Sequence, residues 1–407
     1  MASSSLRHAV WLTPIVLACC MAPAGKPAAS AEKSAPPIAA AGPDSAVATP
    51  EPEVDVSSSP PPEAAPTIAP APPAPPAPPG PLVLGRFDAA NATGPRFSWS
   101  GSAIVVRFTG PSLAVTLEDN GWNWYEVEVD GEKRAPLAMR HGVVTYSIAS
   151  GLAAGEHVAR IARRNEAHGG VTRLVGFEVA EGHEILSPPP RPTRRLEFVG
   201  DSITCGFGTA GDHPCPFEYR TENHELTYAA LAAKELGAEG HTVCWSGWGM
   251  VRGADGSFGA NLPAVYGRAF HKPTSPAWDT SSFQPHAVVI ALGTNDFGQG
   301  DPGDLYTNAY SAFLARLRAA YPDAWLVATT SPMLYAGQKA RQRELVERAL
   351  ARRRAAGDER VTVVDFASQT FEGMGCGGHP GKKTHAKMAE RLVPVLREKL
   401  GWVDAAP

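Results

Sequence analysis

Phe198-Val-Gly-Asp-Ser-Ile-Thr-Cys-Gly206 decides the fold of this chain. The short apolar run Leu196 to Val199 ends on Gly-Asp-Ser and passes into a glycine-rich loop. This is how a serine is set at the C-terminal end of a strand in an open α/β sheet, the edge where such sheets carry their chemistry. Downstream, Ser246-Gly247 follows the apolar run Thr242 to Trp245. Gly293-Thr294-Asn295-Asp296 follows the strongest strand pattern in the chain, His286 to Leu292. His379-Pro380 stands just ahead of the last helical stretch. Gly-Asp-Ser alone is a weak signal, but four such elements, each at a strand or helix end, form the frame of a serine esterase.

Around this frame, strand patterns at Leu196–Val199, Thr242–Trp245, Ala287–Leu292, Trp325–Thr329 and Val361–Asp365 alternate with helical patterns. The helices are expected at Thr227–Gly237, Leu305–Ala320, Gln338–Ala356 and Thr384–Leu400. The alternation predicts a parallel sheet covered on both faces, a three-layer α/β domain over residues 194–402. Residues 188–193, Pro-Pro-Pro-Arg-Pro-Thr, read as a hinge. Before it, residues 82–187 carry short alternating runs at Ala103–Phe108, Leu113–Leu117, Trp124–Val129, Val143–Ile148, His157–Arg163 and Leu174–Val179. Turn residues such as Asp119-Asn120-Gly121 punctuate them. Short strands at regular spacing predict an all-β sandwich or jelly roll.

The first 81 residues read as targeting and spacing. Arg7 and His8 precede the apolar run Ala9 to Ala18, which is too short to span a bilayer as a stable helix. Val16-Leu17-Ala18-Cys19 resembles a bacterial lipobox, in which Cys19 is lipidated. The alternative is an ordinary secretory signal cut near Ala22 or Ala24. Residues 1–20 are thus a leader, and either reading puts the protein outside the cytoplasm, as a cell-envelope lipoprotein or secreted. Residues 21–81 are rich in Pro, Ala, Ser and Glu and hold few large apolar side chains. Such a segment cannot bury enough surface to offset its ordering entropy, and reads as a disordered, semi-rigid spacer. The only membrane contact expected is through the lipid. The chain has 407 residues and a formal net charge of -4, with no basic stripe, so no nucleic-acid partner is expected.

Each element of the frame has a chemical role. Ser202 is the candidate nucleophile, and a serine hydroxyl needs a neighbouring base. His379, in the loop Gly375-Cys-Gly-Gly-His-Pro380, is the candidate base. His385 falls inside the following helix and reads as structural, and His286 starts a strand at its far end. The Ser202 and Gly247 N–H groups and the Asn295 side-chain amide are the candidate oxyanion donors. Gly249 rivals Gly247, and Asp201 reads as a brace for the turn. Trp248 and Trp278 are candidate substrate-facing rings, and Trp245 reads as core. Trp122 and Trp124 either form a glycan platform or fill the sandwich. Beyond the leader the cysteines are Cys205, Cys215, Cys244 and Cys376. In an oxidising compartment an even number points to disulfides. The shortest loop pairs Cys205 with Cys215. The partners of Cys244 and Cys376 are open, and free buried thiols are the alternative. No Cys-x-x-Cys pair exists, so no metal site is expected, and the reaction requires no cofactor.

Residues 194–402 resemble the SGNH, or GDSL-like, hydrolase superfamily, whose namesake residues match Ser202, Gly247, Asn295 and His379. Residues 82–402 resemble carbohydrate esterase family two, through Gly200-Asp-Ser-Ile-Thr-Cys-Gly-Phe-Gly208, Thr221-Glu-Asn223, Trp245-Ser-Gly-Trp-Gly249 and Leu292-Gly-Thr-Asn-Asp-Phe297. The resemblance implies a jelly roll followed by a flavodoxin-like hydrolase domain, and an esterase acting on acetylated polysaccharides such as xylan and glucomannan. Lipase, thioesterase and peptidoglycan O-acetylesterase activities share the same frame, and a carbohydrate-binding surface protein with a weakened site is the reading outside enzymology. One departure stands out. The superfamily usually carries an aspartate three residues before the histidine, and family two often two before. Those positions are Cys376 and Gly377. Either a backbone carbonyl of the Phe371–Gly378 loop orients the imidazole in a Ser-His dyad, or a remote acid does so: Asp296, Asp365 or Glu372.

Overall fold

The computed structural model describes residues 78–259 and 261–403. The leader with Cys19, and the spacer up to residue 77, lie outside them.

The first half forms ten strands: β1 (Leu82–Leu84), β2 (Arg96–Phe97), β3 (Ala103–Thr109), β4 (Leu113–Asn120), β5 (Trp124–Val129), β6 (Glu132–Lys133), β7 (Leu137–Ala138), β8 (His141–Ala149), β9 (Glu156–Arg163) and β10 (Thr172–Val179). One antiparallel sheet runs β1-β3-β9-β5-β6, with β7 also on β5. The other runs β2-β10-β4-β8. The period of two explains the packing. In β4 and β5 every second side chain is buried, so Leu113, Val115, Leu117, Tyr125, Val127 and Val129 fill the space between the sheets. The six alternating runs fall on β3, β4, β5, β8, β9 and β10. The strands left unanticipated are two or three residues long, too short for alternation to register.

The second half forms β11 (Arg194–Gly200), α1 (Ser202–Cys205), α2 (Tyr228–Glu235), β12 (Ala238–Cys244), β13 (Ala287–Ala291), α3 (Thr294–Gly298), α4 (Gly303–Ala320), β14 (Trp325–Thr329), α5 (Ala336–Ala355), β15 (Val361–Val364) and α6 (Lys382–Leu400). The sheet is parallel in the order β12-β11-β13-β14-β15. Val199, Val243, Ile290 and Leu326 face a core shared with α4 and α5. Phe198, Val289, Val327 and Val364 face a core shared with α2 and α6. The chain places β12 on one side of β11 and β13 on the other. That reversal opens a crevice beyond the C-terminal ends of β11 and β13. β12 begins at Ala238, earlier than its apolar run indicates. Glu239 and His241 precede that run and carry no apolar signal, yet both are buried and bonded to each other at 2.8 Å.

The two halves meet across a buried polar seam. The Arg86 guanidinium donates to Glu197 on β11 at 2.6 Å, and Tyr266 donates its hydroxyl to the same carboxylate. Arg86 and Glu197 are both fully buried. The 188–193 segment, read as a hinge, is pinned to both halves. Arg191 donates to Glu239 on one side and to the Val83 carbonyl, at 2.7 Å, on the other.

The expected Cys205–Cys215 disulfide is not formed. Cys205 bonds Cys244, and Cys215 bonds Cys376. The reason is the strand register. Gly200 lies opposite Cys244 in the β11–β12 pair, so the end of α1 comes down beside the end of β12 with Cα atoms 5.5 Å apart. The loop carrying Cys215 instead lies on the loop before His379.

Candidate active site

Three elements leave the sheet at one level. Gly200 on β11 is in register with Cys244 on β12 and with Ala291 on β13. Ser202, Gly247 and Asn295 follow those three positions by two to four residues. Ser202 opens α1. Asp201 caps that helix by accepting the Ile203 N–H at 3.0 Å, which leaves the first-turn N–H of Ser202 with no partner inside the helix. Asn295 lies in the first turn of α3. Its amide donates one hydrogen to the Trp248 carbonyl at 3.0 Å and keeps a second for a ligand. Gly247 has φ +77°, and a Cβ there would meet nothing within 4 Å. Gly249 has a different task. A Cβ there would sit 2.4 Å from the Asp296 carboxylate. Asp296 needs that approach because it accepts the N–H groups of Met250, Val251 and Arg252 at 2.7–3.2 Å.

His379 follows a single 3-10 turn, Cys376–Gly378. The Cys215–Cys376 bond, Gly377 N–H to the Cys215 carbonyl at 2.8 Å and Gln369 Nε2 to the Gly378 carbonyl at 2.9 Å pin that turn. The imidazole Nε2 lies 2.9 Å from Ser202 Oγ, and Nδ1 lies 3.2 Å from the Gly377 carbonyl. A carbonyl only accepts, so Nδ1 carries the proton and Nε2 presents its lone pair to the serine hydroxyl. Among the described residues, none of the three candidate acids reaches the ring. Asp296 is taken up by its three N–H donors, Asp365 pairs with Arg343, and Glu372 is fully exposed near Lys383 and Lys387. A side chain at Gly377 would be both strained and crowded. Its φ is +65°, and a Cβ would stand 3.0 Å from the Phe207 ring.

Burial governs the charges here. It pushes the His379 pKa below its ordinary 6.5, against a weaker opposing effect of the Gly377 carbonyl. Burial also lifts Asp201 to about 7, despite its bond from the Ile203 N–H. The negative charge beside the nucleophile is thereby reduced.

The candidate rings part company. Trp248 is half-buried, stacks on Trp245 at 4.6 Å and borders Asn295 through its carbonyl. Trp245 is half-buried too, and meets Trp99 edge-on. Trp278 is not brought to the site. It packs on Arg86 and His241 at the seam, 5.4 and 5.9 Å away. His385 is wholly buried in the α2–α6 core, where its Nδ1 accepts the Tyr228 N–H at 3.1 Å.

One site residue escaped the sequence reading. Glu166, from the β-sandwich, reaches across the seam and accepts the Ser246 N–H at 2.7 Å, bracing the residue before Gly247. Glu222 lies beside it, and burial raises the pKa of both carboxyls above 4.5. An acid eighty residues upstream, in another domain, carries no local signal of this contact.

Residues 83–189 match a family model described as carbohydrate esterase 2 N-terminal, and residues 198–387 match one described as the GDSL-like lipase/acylhydrolase family. The chain is 35% identical over 325 residues to a cellulase/esterase CelE of Acetivibrio thermocellus; this covers 79% of the chain but only 40% of that protein. It is 30% identical over 327 residues to an acetylxylan esterase / glucomannan deacetylase of Cellvibrio japonicus, covering 79% of the chain and 89% of that protein. A solved structure of a family two carbohydrate esterase from Clostridium thermocellum, in complex with cellohexaose, superposes with a TM-score of 0.77 at 34% identity, over 80% of this chain and 100% of that one.

Proposed function

The chain belongs to carbohydrate esterase family two, and on that premise we propose that it removes O-acetyl groups from polysaccharides of the xylan or glucomannan type through an acetyl-enzyme. Ser202 Oγ attacks the acetyl carbonyl while its proton passes to His379 Nε2. The Ser202 and Gly247 N–H groups and the Asn295 amide hold the oxyanion. The tetrahedral intermediate expels the sugar oxygen, which takes the proton back from Nε2. Water, deprotonated by the same nitrogen, then attacks the acetyl-serine. Acetate leaves and the serine hydroxyl is restored. The Gly377 carbonyl steadies the imidazolium in each half-reaction. It does so less strongly than a carboxylate, because it is a dipole rather than a charge. The observation that carries this reading is the 2.9 Å contact between His379 and Ser202 at the point where the strand order reverses.

The proposal extends to a site of action outside the cytoplasm. Arg7 to Cys19 supports export, and two disulfides among the described residues fit an oxidising compartment. The deciding experiment is acetate release from acetylated glucomannan, xylan, chitin and peptidoglycan, with Ser202→Ala as the control. Turnover of the two plant polymers that vanishes in the variant is the expected result. Turnover confined to peptidoglycan or to long-chain acyl esters rejects the proposed substrate.

A further inference from the structure

Trp122 stands in the turn between β4 and β5 and is 58% exposed. Lone exposed rings are common and call for no explanation. This one is not alone. Its ring lies 5.5 Å from Tyr219, Tyr219 lies 5.7 Å from Phe217, Phe217 stacks on Phe207 at 3.8 Å, and Phe207 lies 4.3 Å from the His379 imidazole. An unbroken row of rings thus leads from the candidate base to the tip of the β-sandwich.

Each member is held in place. Asp119 accepts the Gly121 N–H and the Asn123 amide, both at 2.8 Å, and Asn123 also donates to the Gly169 carbonyl at 3.0 Å; these bonds fix the turn that presents Trp122. The Tyr219 carbonyl accepts from the Asn165 amide at 2.7 Å. The Phe217 segment is tied to the histidine loop by Cys215–Cys376. A platform ordered before its ligand arrives loses little entropy on binding.

The surroundings select the ligand. An exposed Glu218–Arg220 ion pair lies within the row, and Asn120, two residues before Trp122, is exposed at its far end. Flat apolar rings bordered by charged and amide groups suit a pyranose, whose C–H face is apolar and whose rim is hydroxylic. An acyl chain has no use for that polar border. We propose that Trp122 and Tyr219 form a distal subsite for a sugar residue of the same β-linked chain whose acetylated residue sits at Ser202. The β-sandwich then reads the polymer while the α/β domain performs the chemistry. This inference rests on the polysaccharide substrate proposed above.

The test uses the full chain carrying Ser202→Ala, titrated calorimetrically with xylo- and manno-oligosaccharides of two to six residues. Affinity is expected to rise with length. Adding Trp122→Ala should remove that rise, weakening the longest ligand about tenfold, whereas Trp122→Phe should keep most of it. An unchanged length dependence in Trp122→Ala overturns the subsite. So does an equal loss at every length, which would mean that Trp122 acts through the fold of the site. In the active enzyme, a selective loss on 4-nitrophenyl octanoate relative to the acetate would assign the row to acyl chains and also overturn it. If length-dependent binding survives while the enzyme releases no acetate from either plant polymer, the subsite stands and the proposed substrate falls.

Discussion

At the scale of single residues, the site turns on how His379 is held. A carboxylate partner would raise its pKa, whereas here a carbonyl faces Nδ1 and burial lowers it. The base acts only when neutral, so activity falls as pH drops through this depressed pKa. The acid limb of kcat/KM is therefore expected below the ordinary histidine value of about 6.5, and a limb above 7 would mean that a carboxylate orients the ring. His379→Ala should lower kcat by roughly a thousandfold or more while the circular dichroism spectrum is retained. His385→Ala should instead lower Tm, since that ring fills the α2–α6 core. Asp365→Asn and Glu372→Gln should each retain most of kcat, far from the ~10⁴ loss that follows removal of a triad aspartate. A triad-sized loss in either variant would replace the dyad by a triad.

Secondary-structure elements act by delivering their ends to one place. α1 and α3 start beyond adjacent strands, and the Gly247 loop leaves β12 beside them. That loop is held from two sides, by Asp296 in α3 and by Glu166 in the segment after β9. Deleting the Glu166 carboxylate leaves the Ser246 N–H without its acceptor and frees the residue before the oxyanion donor. Glu166→Ala is expected to lower kcat by about ten- to a hundredfold with a much smaller change in KM. Glu166→Gln should recover most of the loss, because its amide oxygen can still accept the N–H. Equal damage in both variants would show that the charge, rather than the hydrogen bond, is what counts. These distances act over ångströms, yet they depend on two domains being docked.

At the scale of the molecule, docking combines an apolar contact, where Trp99 and Ala167 of the sandwich join the core of the α/β domain, with buried polar groups. Arg86 and Glu197 form one such pair, and removing one partner of a buried pair commonly costs about 3–5 kcal/mol. Glu166 and Glu222 form another kind of contact: burial holds both carboxyls above the ordinary carboxylate range, and the neighbouring Glu166 charge adds to this at Glu222. The sign of the pH effect follows. Both folded-state pKa values lie above the unfolded value of 4.5. Unfolding therefore releases protons as pH rises past that value, and stability declines until the folded-state groups themselves ionise. Glu222→Gln removes one of these groups, so its Tm should fall less than that of the parent protein between pH 4.5 and neutrality. Parallel curves for the two proteins would show that Glu222 gains no proton on folding.

By itself, the sequence determined the two-part architecture, the six long strands of the sandwich, the parallel α/β domain, the family, and the positions of Ser202, Asn295 and His379. All of these rest on short-range patterns. Alternation at period two, helical periodicity and a serine directly after an apolar run are contained within a few consecutive residues. Tertiary structure alone decided the rest. It paired Cys205 with Cys244 instead of Cys215, because strand register rather than chain distance brings thiols together. It set Gly377 rather than an acid against Nδ1, started β12 four residues earlier on a buried Glu239–His241 pair, and moved Trp278 away from the site. It also brought Glu166 and Trp122 from the β-sandwich toward the catalytic face. Each of these is a contact or a placement set by through-space packing. Its energy depends on which surfaces are buried together, and no local stretch of sequence encodes that choice.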